Sequence, residues 1–179
     1  MSTTVIIGAT VHDGRGGAAQ VADVVVRDGV VEAVGPEAAA SVVEAGRAGR
    51  VVDGRGLEVL PGFVDVHAHD DAALFRPGGI TPKTSQGVTT TIVGNCGQGV
   101  APSPPPADPP DRSLEQYSLP VLGPFPDRRW ATFGDYLEAL AREPLGVHAR
   151  ALVPHAPVRA SVLGMVRRPA DAAESSRIA

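Results

Sequence analysis

Apolar and polar positions change style once along the chain, near Pro61-Gly62, and the change divides it into two segments. Before it, short β-branched runs alternate with turn residues. Thr4–Ile7 reads as one strand, and Val21–Arg27 with Val30–Val34 reads as a hairpin closed by Asp28-Gly29. Val51-Val52 and Leu57–Leu60 add strands around the turn cluster Asp53-Gly-Arg-Gly56. The Ala/Gly-rich stretch 38–50 supports no single assignment. Residues 1–60 therefore predict a small all-β module.

After Pro61-Gly62 the pattern predicts strands and helices in turn. Phe63–Ala68 is a near-continuous apolar run, as in a parallel strand covered on both faces. Thr81, Pro82 and Gly87 predict a short helix, with Thr81 as N-cap, Pro82 at the first position and Gly87 just beyond its end. Val88–Val93 is a second buried strand, so the unit reads β-α-β. Residues 101–126 hold nine of the 17 prolines and predict an insertion without regular structure, either a solvated loop or a lid. Trp130–Arg142 predicts a helix. Thr132 and Asp135 have capping-box spacing, Phe133, Leu137 and Leu140 share one face, and Pro144 ends it. Gly146–Val153 is a third strand, and the segment from Arg167-Arg168-Pro169 opens a further helix.

Composition adds little to this picture. The 179 residues are 43% hydrophobic and 20% charged, ordinary values for a globular protein. A net charge of −4 gives no reason to expect nucleic acid or an anionic membrane as partner. No apolar run approaches the roughly 18 residues of a membrane span, and the N-terminus lacks a basic region followed by an apolar one. The single cysteine excludes an intramolecular disulfide. These features read as a cytoplasmic protein; oligomeric state is not legible.

The chemistry lies at two strand ends. In Val64-Asp-Val-His-Ala-His-Asp-Asp71, period two puts Asp65, His67 and His69 on one face and Val64, Val66 and Ala68 on the other. A lone histidine is more often structural. Two at i and i+2, at the C-terminal end of a strand, point to a metal. Cys96 ends the next strand, in Val93-Gly-Asn-Cys-Gly97. A lone cysteine is usually buried and inert. Here a neighbouring parallel strand about 4.8 Å away brings its sulfur towards the same point. Two imidazoles and a thiolate suit zinc.

Asp65 either orients an imidazole through its distal N–H or caps backbone amides at the strand end; the residues leave both open. Asp70 and Asp71 either bond loop amides or support the ligands. Lys83, the only lysine, reads as a surface or anchoring residue. Asn95 and His155 are candidates to line the site, and His12 and His148 look incidental.

At this point the residues resemble a known family. Pro61-Gly-Phe-Val-Asp-Val-His-Ala-His69 is similar to the entry strand of the amidohydrolase superfamily. Pro82-Lys-Thr-Ser-Gln-Gly-Val-Thr-Thr-Thr-Ile-Val-Gly-Asn-Cys-Gly97 and Trp130-Ala-Thr-Phe-Gly-Asp-Tyr-Leu137 are more specific, and resemble the N-acyl-D-amino-acid deacylases. The resemblance reaches to about residue 170. It implies an α/β fold: a small β-sandwich module, here residues 1–60, preceding a (β/α)8 metal-dependent-hydrolase barrel, of which residues 61–179 would supply about the first three strands.

It also implies one or two Zn2+ ions held by His67, His69 and Cys96; on the residues' own spacing, Asp65 and Asp70 are the candidates to stand behind those ligands. The implied substrate is a small N-acyl-D-amino acid, hydrolysed to a carboxylate and a D-amino acid. In the family the general base is an aspartate of the last barrel strand, and further histidine ligands come from middle strands. Val153-Pro-His-Ala156 departs from the glycine the family tends to have around that histidine. Two other readings stand beside this one: an amidohydrolase of hydantoinase or dihydroorotase type, against which Asn95-Cys96-Gly97 argues, and a non-catalytic remnant.

A (β/α)8 barrel takes typically about 250 residues, so this length reads as a fragment. An open three-strand sheet leaves an unpaired edge and an uncovered apolar face. The purified 179-residue chain is therefore expected to be unstable or to aggregate, and to lack deacylase turnover; measured turnover would overturn that expectation.

Overall fold

The computed structural model describes residues 2–103 and 111–179. The chain is mixed α/β and forms two compact units, Met1–Pro61 and Gly62–Ala179.

In the first unit, β-branched residues fill β1 (Thr3–Val11), β2 (Gln20–Arg27) and β3 (Val30–Gly35). β2 and β3 form a hairpin on Asp28-Gly29, whose φ values of 48° and 82° are both positive. That turn geometry matches the natural twist of paired strands. The sheet order is β3-β2-β1-β4, with β4 (Arg50–Asp53) and β5 (Glu58–Val59) both parallel to β1. The ambiguous stretch 38–50 contains a five-residue helix, α1 (Ala40–Glu44), which drops Val42 onto Val5 and Val25. Buried Asp23 accepts the Gly8 amide at 2.9 Å and the Ala39 amide at 3.2 Å. Those bonds offset its desolvation and tie an irregularity in β1 to the start of α1.

The second unit is built on three parallel strands in chain order: β6 (Phe63–Asp65), β7 (Val88–Val93) and β8 (His148–Ala151). Between β6 and β7 lie a single turn at Ala73–Phe75 and α2 (Thr81–Thr84). Gly87 takes the left-handed φ of 84° that lets the chain turn into β7. The N-cap of α2 is Ile80, in helical conformation, rather than Thr81, and no side chain caps it. Pro82 still stands at the start, where its missing N–H costs no bond.

Between β7 and β8 the chain makes α3 (Ser113–Leu122) and α4 (Phe133–Arg142). α3 corrects the expectation that 101–126 holds no regular element; residues 104–110 of that segment lie outside the described residues. The prolines cluster before 111 and after 123, and residues 111–119 have none. Pro120 falls near the end of α3, where its missing N–H forfeits one helical bond. Leu114, Ser118 and Leu122 recur every fourth residue and are buried. Ser118 Oγ donates to Gln98 Oε1 at 2.9 Å, which ties α3 to the segment after β7.

α4 begins at Phe133 rather than Trp130 because the capping box sits at Thr132. Thr132 Oγ1 accepts the Asp135 amide at 3.1 Å, and Asp135 Oδ2 accepts the Thr132 amide at 2.9 Å. Its buried stripe is Tyr136 and Ala139, with Phe133 and Leu140 partly covered; Leu137 is 43% exposed. The helix turns that way to join an aromatic cluster. Tyr136 packs edge-on to Trp130 at 5.1 Å and against Phe75 at 5.6 Å. The Arg128 guanidinium lies 5.6 Å from the Phe75 ring and 5.7 Å from the Trp130 ring, and pairs with Glu143 at 2.8 Å.

Two helices follow β8. α5 (His155–Leu163) has no counterpart in the sequence reading. Pro157 and a mixed apolar pattern hide it, although proline is well tolerated in a first turn. α6 (Ala172–Ile178) follows Pro169 and is capped by Asp171 with Glu174.

β6 departs from expectation in two ways. It ends at Asp65 rather than Ala68. Phe63, Val64 and Val66 are also 54%, 54% and 66% exposed, not covered on both faces. β6 is an edge strand that pairs only with β7, and among the described residues of this unit nothing covers those side chains.

The orientation of α4 makes a measurable difference. Tyr136→Ala is expected to cost about 3–5 kcal/mol, as for other large aromatic deletions in a core. Leu137→Ala is expected to cost less than about 1 kcal/mol. Urea denaturation compares them; equal losses would put Leu137 back on the buried stripe.

Candidate metal centre

The parallel ladder outlasts the strands and carries both chemical segments to one place. Past the end of β6, the Ala68 amide still donates to the Ile92 carbonyl at 3.0 Å. Past the end of β8, the Leu152 amide donates to the Val93 carbonyl at 2.9 Å. Asn95 Nδ2 donates to the carbonyls of Ile92 at 2.8 Å and Ala68 at 3.3 Å. Asn95 thus stitches the two loops together, a task the sequence does not reveal.

His67, His69 and Cys96 come together at these strand ends, with ligand atoms all within 4.8 Å of one another. His67 Nε2 lies 3.2 Å from Cys96 Sγ, and the two imidazole rings meet edge-on at 5.4 Å. His67 and His69 sit on the loop beyond β6, not within the strand, so strand alternation alone does not aim them. The loop does so through its polar contacts.

Cys96 is exposed, not a buried and inert thiol. It occupies a turn with left-handed φ of 54°, between Gly94 at 80° and Gly97 at 70°. For a residue with a Cβ this conformation costs about 1–2 kcal/mol. The surrounding loop contacts must hold it, and such strain gathers at functional positions.

Asp65 makes no hydrogen bond to either ring among the described residues. Its Oδ1 accepts the His67 amide at 3.2 Å, and its Oδ2 accepts Lys83 Nζ at 2.6 Å. Lys83 Nζ also pairs with Asp70 Oδ2 at 2.5 Å, and that oxygen accepts the Thr91 hydroxyl at 3.0 Å. The bond from Lys83 holds the Asp65 carboxyl below the usual range, against partial burial. Burial opposes the Lys83 charge, but bonds to Asp65 and Asp70 outweigh it and raise its pKa above the ordinary lysine value.

Asp71 is almost fully buried. Desolvation pushes its carboxyl up to about 7, the Asp70 charge adds to that, and the amides of Asp71 and Gly94 oppose it. Its backbone carbonyl accepts the Tyr136 hydroxyl at 3.3 Å, so α4 holds the site loop from behind. His155 opens α5 beside Gly97 and is exposed.

The donor set fits zinc. Two ligands of a tetrahedral zinc stand about 3.5 Å apart, given bonds of about 2.0–2.3 Å. The His67–Cys96 pair at 3.2 Å is close to that separation. His69 Nδ1 is buried and has no hydrogen-bond partner among the described residues.

The turn into Cys96 depends on close approach. A methyl on Gly94 would lie 2.2 Å from the Leu152 carbonyl oxygen, whereas on Gly97 its nearest neighbour is His155 Cβ at 3.5 Å. Both substitutions carry the left-handed penalty of about 1–2 kcal/mol. Gly94→Ala is expected to lose a further ~1–3 kcal/mol from overpacking. Equal urea midpoints for the two variants would rule out that clash.

Residues 50–177 match the amidohydrolase family. The chain is 41% identical over 170 residues to an N-acyl-D-aspartate deacylase of Alcaligenes xylosoxydans xylosoxydans, covering 95% of this chain and 32% of that protein. It resembles a solved D-aminoacylase with a binuclear metal centre at TM-score 0.78 and 40% identity, over 97% of this chain and 34% of that one. A Bordetella bronchiseptica N-acyl-D-glutamate deacylase, complexed with zinc and a phosphonate mimic of the tetrahedral intermediate, gives TM-score 0.77 and 34% identity, over 98% and 34%. The chain spans about a third of the length of these relatives. With the match extending over most of its length, the chain belongs to the amidohydrolase family.

Proposed function

We propose that this chain carries the zinc-binding His-x-His and cysteine part of an N-acyl-D-amino-acid deacylase site. The observation behind the reading is the convergence of His67, His69 and Cys96 within 4.8 Å at adjacent parallel strand ends. The likeness to an N-acyl-D-aspartate deacylase and to a zinc-bound N-acyl-D-glutamate deacylase supports the substrate class. In domain terms, residues 1–60 are the N-terminal part of a small β-sandwich, and residues from 61 on are the first strands of the barrel.

Zinc held there would polarise an amide carbonyl and activate water for attack. His67, His69 and Cys96 would hold the zinc, and metal binding requires imidazole and thiolate donors that have given up their protons. Asn95 and the Ala68–Ile92 bond fix the spacing of the two loops. Asp65 holds the His67 backbone and Lys83 but neither imidazole. Among the described residues no carboxylate joins the three-ligand group. A cysteine kept unpaired as a metal ligand suits a reducing compartment, which supports a cytoplasmic location.

Zinc analysis tests the proposal. The purified chain is expected to bind zinc, and Cys96→Ser and His67→Ala/His69→Ala to lose most of it. N-acetyl-D-methionine and N-acetyl-D-aspartate are assayed in the same samples, with their L-isomers as controls. Unchanged zinc in the variants, or hydrolysis of the L-isomers alone, would overturn the reading.

A further inference from the structure

Lys83 stands outside the ligand group, yet both carboxylates that flank the His-x-His pair, Asp65 and Asp70, bind it. Its ammonium bridges Asp65 at 2.6 Å and Asp70 at 2.5 Å. Asp65 precedes His67 by two residues and Asp70 follows His69 by one. One cation therefore clasps both ends of the segment carrying the two imidazoles. Each carboxylate has a second hold. Asp65 accepts the His67 amide at 3.2 Å, and Asp70 accepts the hydroxyl of fully buried Thr91, on β7, at 3.0 Å. The clasp thus spans α2, the His-x-His loop and the strand that leads to Cys96.

Burial makes the arrangement consequential. The side chains of Lys83, Asp65 and Asp70 retain 24%, 32% and 17% of their exposure. Exposed ion pairs contribute little, but a partly buried carboxylate pair deprived of its shared cation is left with like charges facing each other. The loop would relieve that repulsion by separating Asp65 from Asp70, and the histidines lie between them.

We infer that Lys83 is a positioning residue for the metal centre, setting the separation of Asp65 and Asp70 and thereby the placement of His67 and His69 relative to Cys96. The inference rests on the zinc reading above. Groups that orient metal ligands typically change metal affinity by about 10–100-fold when removed.

Cobalt(II) titration of the 179-residue chain tests it, read from the thiolate-to-cobalt charge-transfer band. Lys83→Met is expected to weaken cobalt binding about 10–100-fold. Lys83→Arg, which keeps the charge and can bridge two carboxylates, is expected to bind within a few-fold of wild type. Far-UV circular dichroism and the metal-free urea midpoint accompany each titration. Where Lys83→Met lacks the wild-type spectrum, Asp70→Asn takes its place, since it breaks one arm of the clasp and carries the same direction of effect.

Wild-type affinity in the folded variant overturns the inference, as does an equal loss in Lys83→Arg. Cys96→Ser separates this from the reading beneath it. A wild-type chain without the band, or a band that survives Cys96→Ser, fails the metal reading itself and this inference with it. A band lost in Cys96→Ser but indifferent to Lys83 fails the lysine alone.

Discussion

The Ala68 amide donates to the Ile92 carbonyl at 3.0 Å, three residues past the end of β6, and the convergence of His67, His69 and Cys96 depends on that register. The bond keeps the loop after β6 in register with β7 where regular pairing has stopped. Adjacent parallel strands stand about 4.8 Å apart. Groups on neighbouring strand ends can therefore share one metal only if the register survives into the loops. Asn95 adds a second stitch by donating to the carbonyls of Ile92 and Ala68, and the Leu152–Val93 bond supports β7 from its other side.

Around this alignment the protein accepts local costs. Cys96 takes a left-handed conformation that β-carbon sterics disfavour by about 1–2 kcal/mol. Gly94 passes so near the Leu152 carbonyl that no side chain fits. Asp71 is buried with its Oδ2 lacking a partner among the described residues. These positions adjoin the three ligands, while the regular parts of the unit are built from ordinary apolar packing. The aromatic cluster of Phe75, Trp130 and Tyr136 connects the two regimes, because the Tyr136 hydroxyl bonds the Asp71 backbone.

Elements with a strong local cause were legible from the chain. The Asp28-Gly29 hairpin follows from turn sterics, and the Thr132–Asp135 capping box from side-chain reach. The run Val88–Val93 forms β7 with those bounds. Less was legible where neighbours decide. The proline count of 101–126 concealed α3, because most of the prolines crowd its flanks, while Leu114, Ser118 and Leu122 have helical spacing and the one proline inside it, Pro120, falls near its end. On α4 the apolar face chosen from Phe133, Leu137 and Leu140 competed with one centred on Tyr136, and the aromatic partners selected the second.

The same division runs through the site. Spacing and residue type alone singled out His67, His69 and Cys96, since few other roles account for paired imidazoles and a thiol at consecutive strand ends. Sequence by itself determined which donors are present and which strands they follow, because those are fixed by covalent order. Tertiary structure decided what holds the donors. Asp65 binds an amide and an ammonium rather than a ring, Asn95 stitches loops, and Lys83 clasps two carboxylates that lie 18 and 13 residues before it. Such contacts join residues far apart in the chain, and no local periodicity encodes them. They exist only once the parallel ladder has brought the loop ends together.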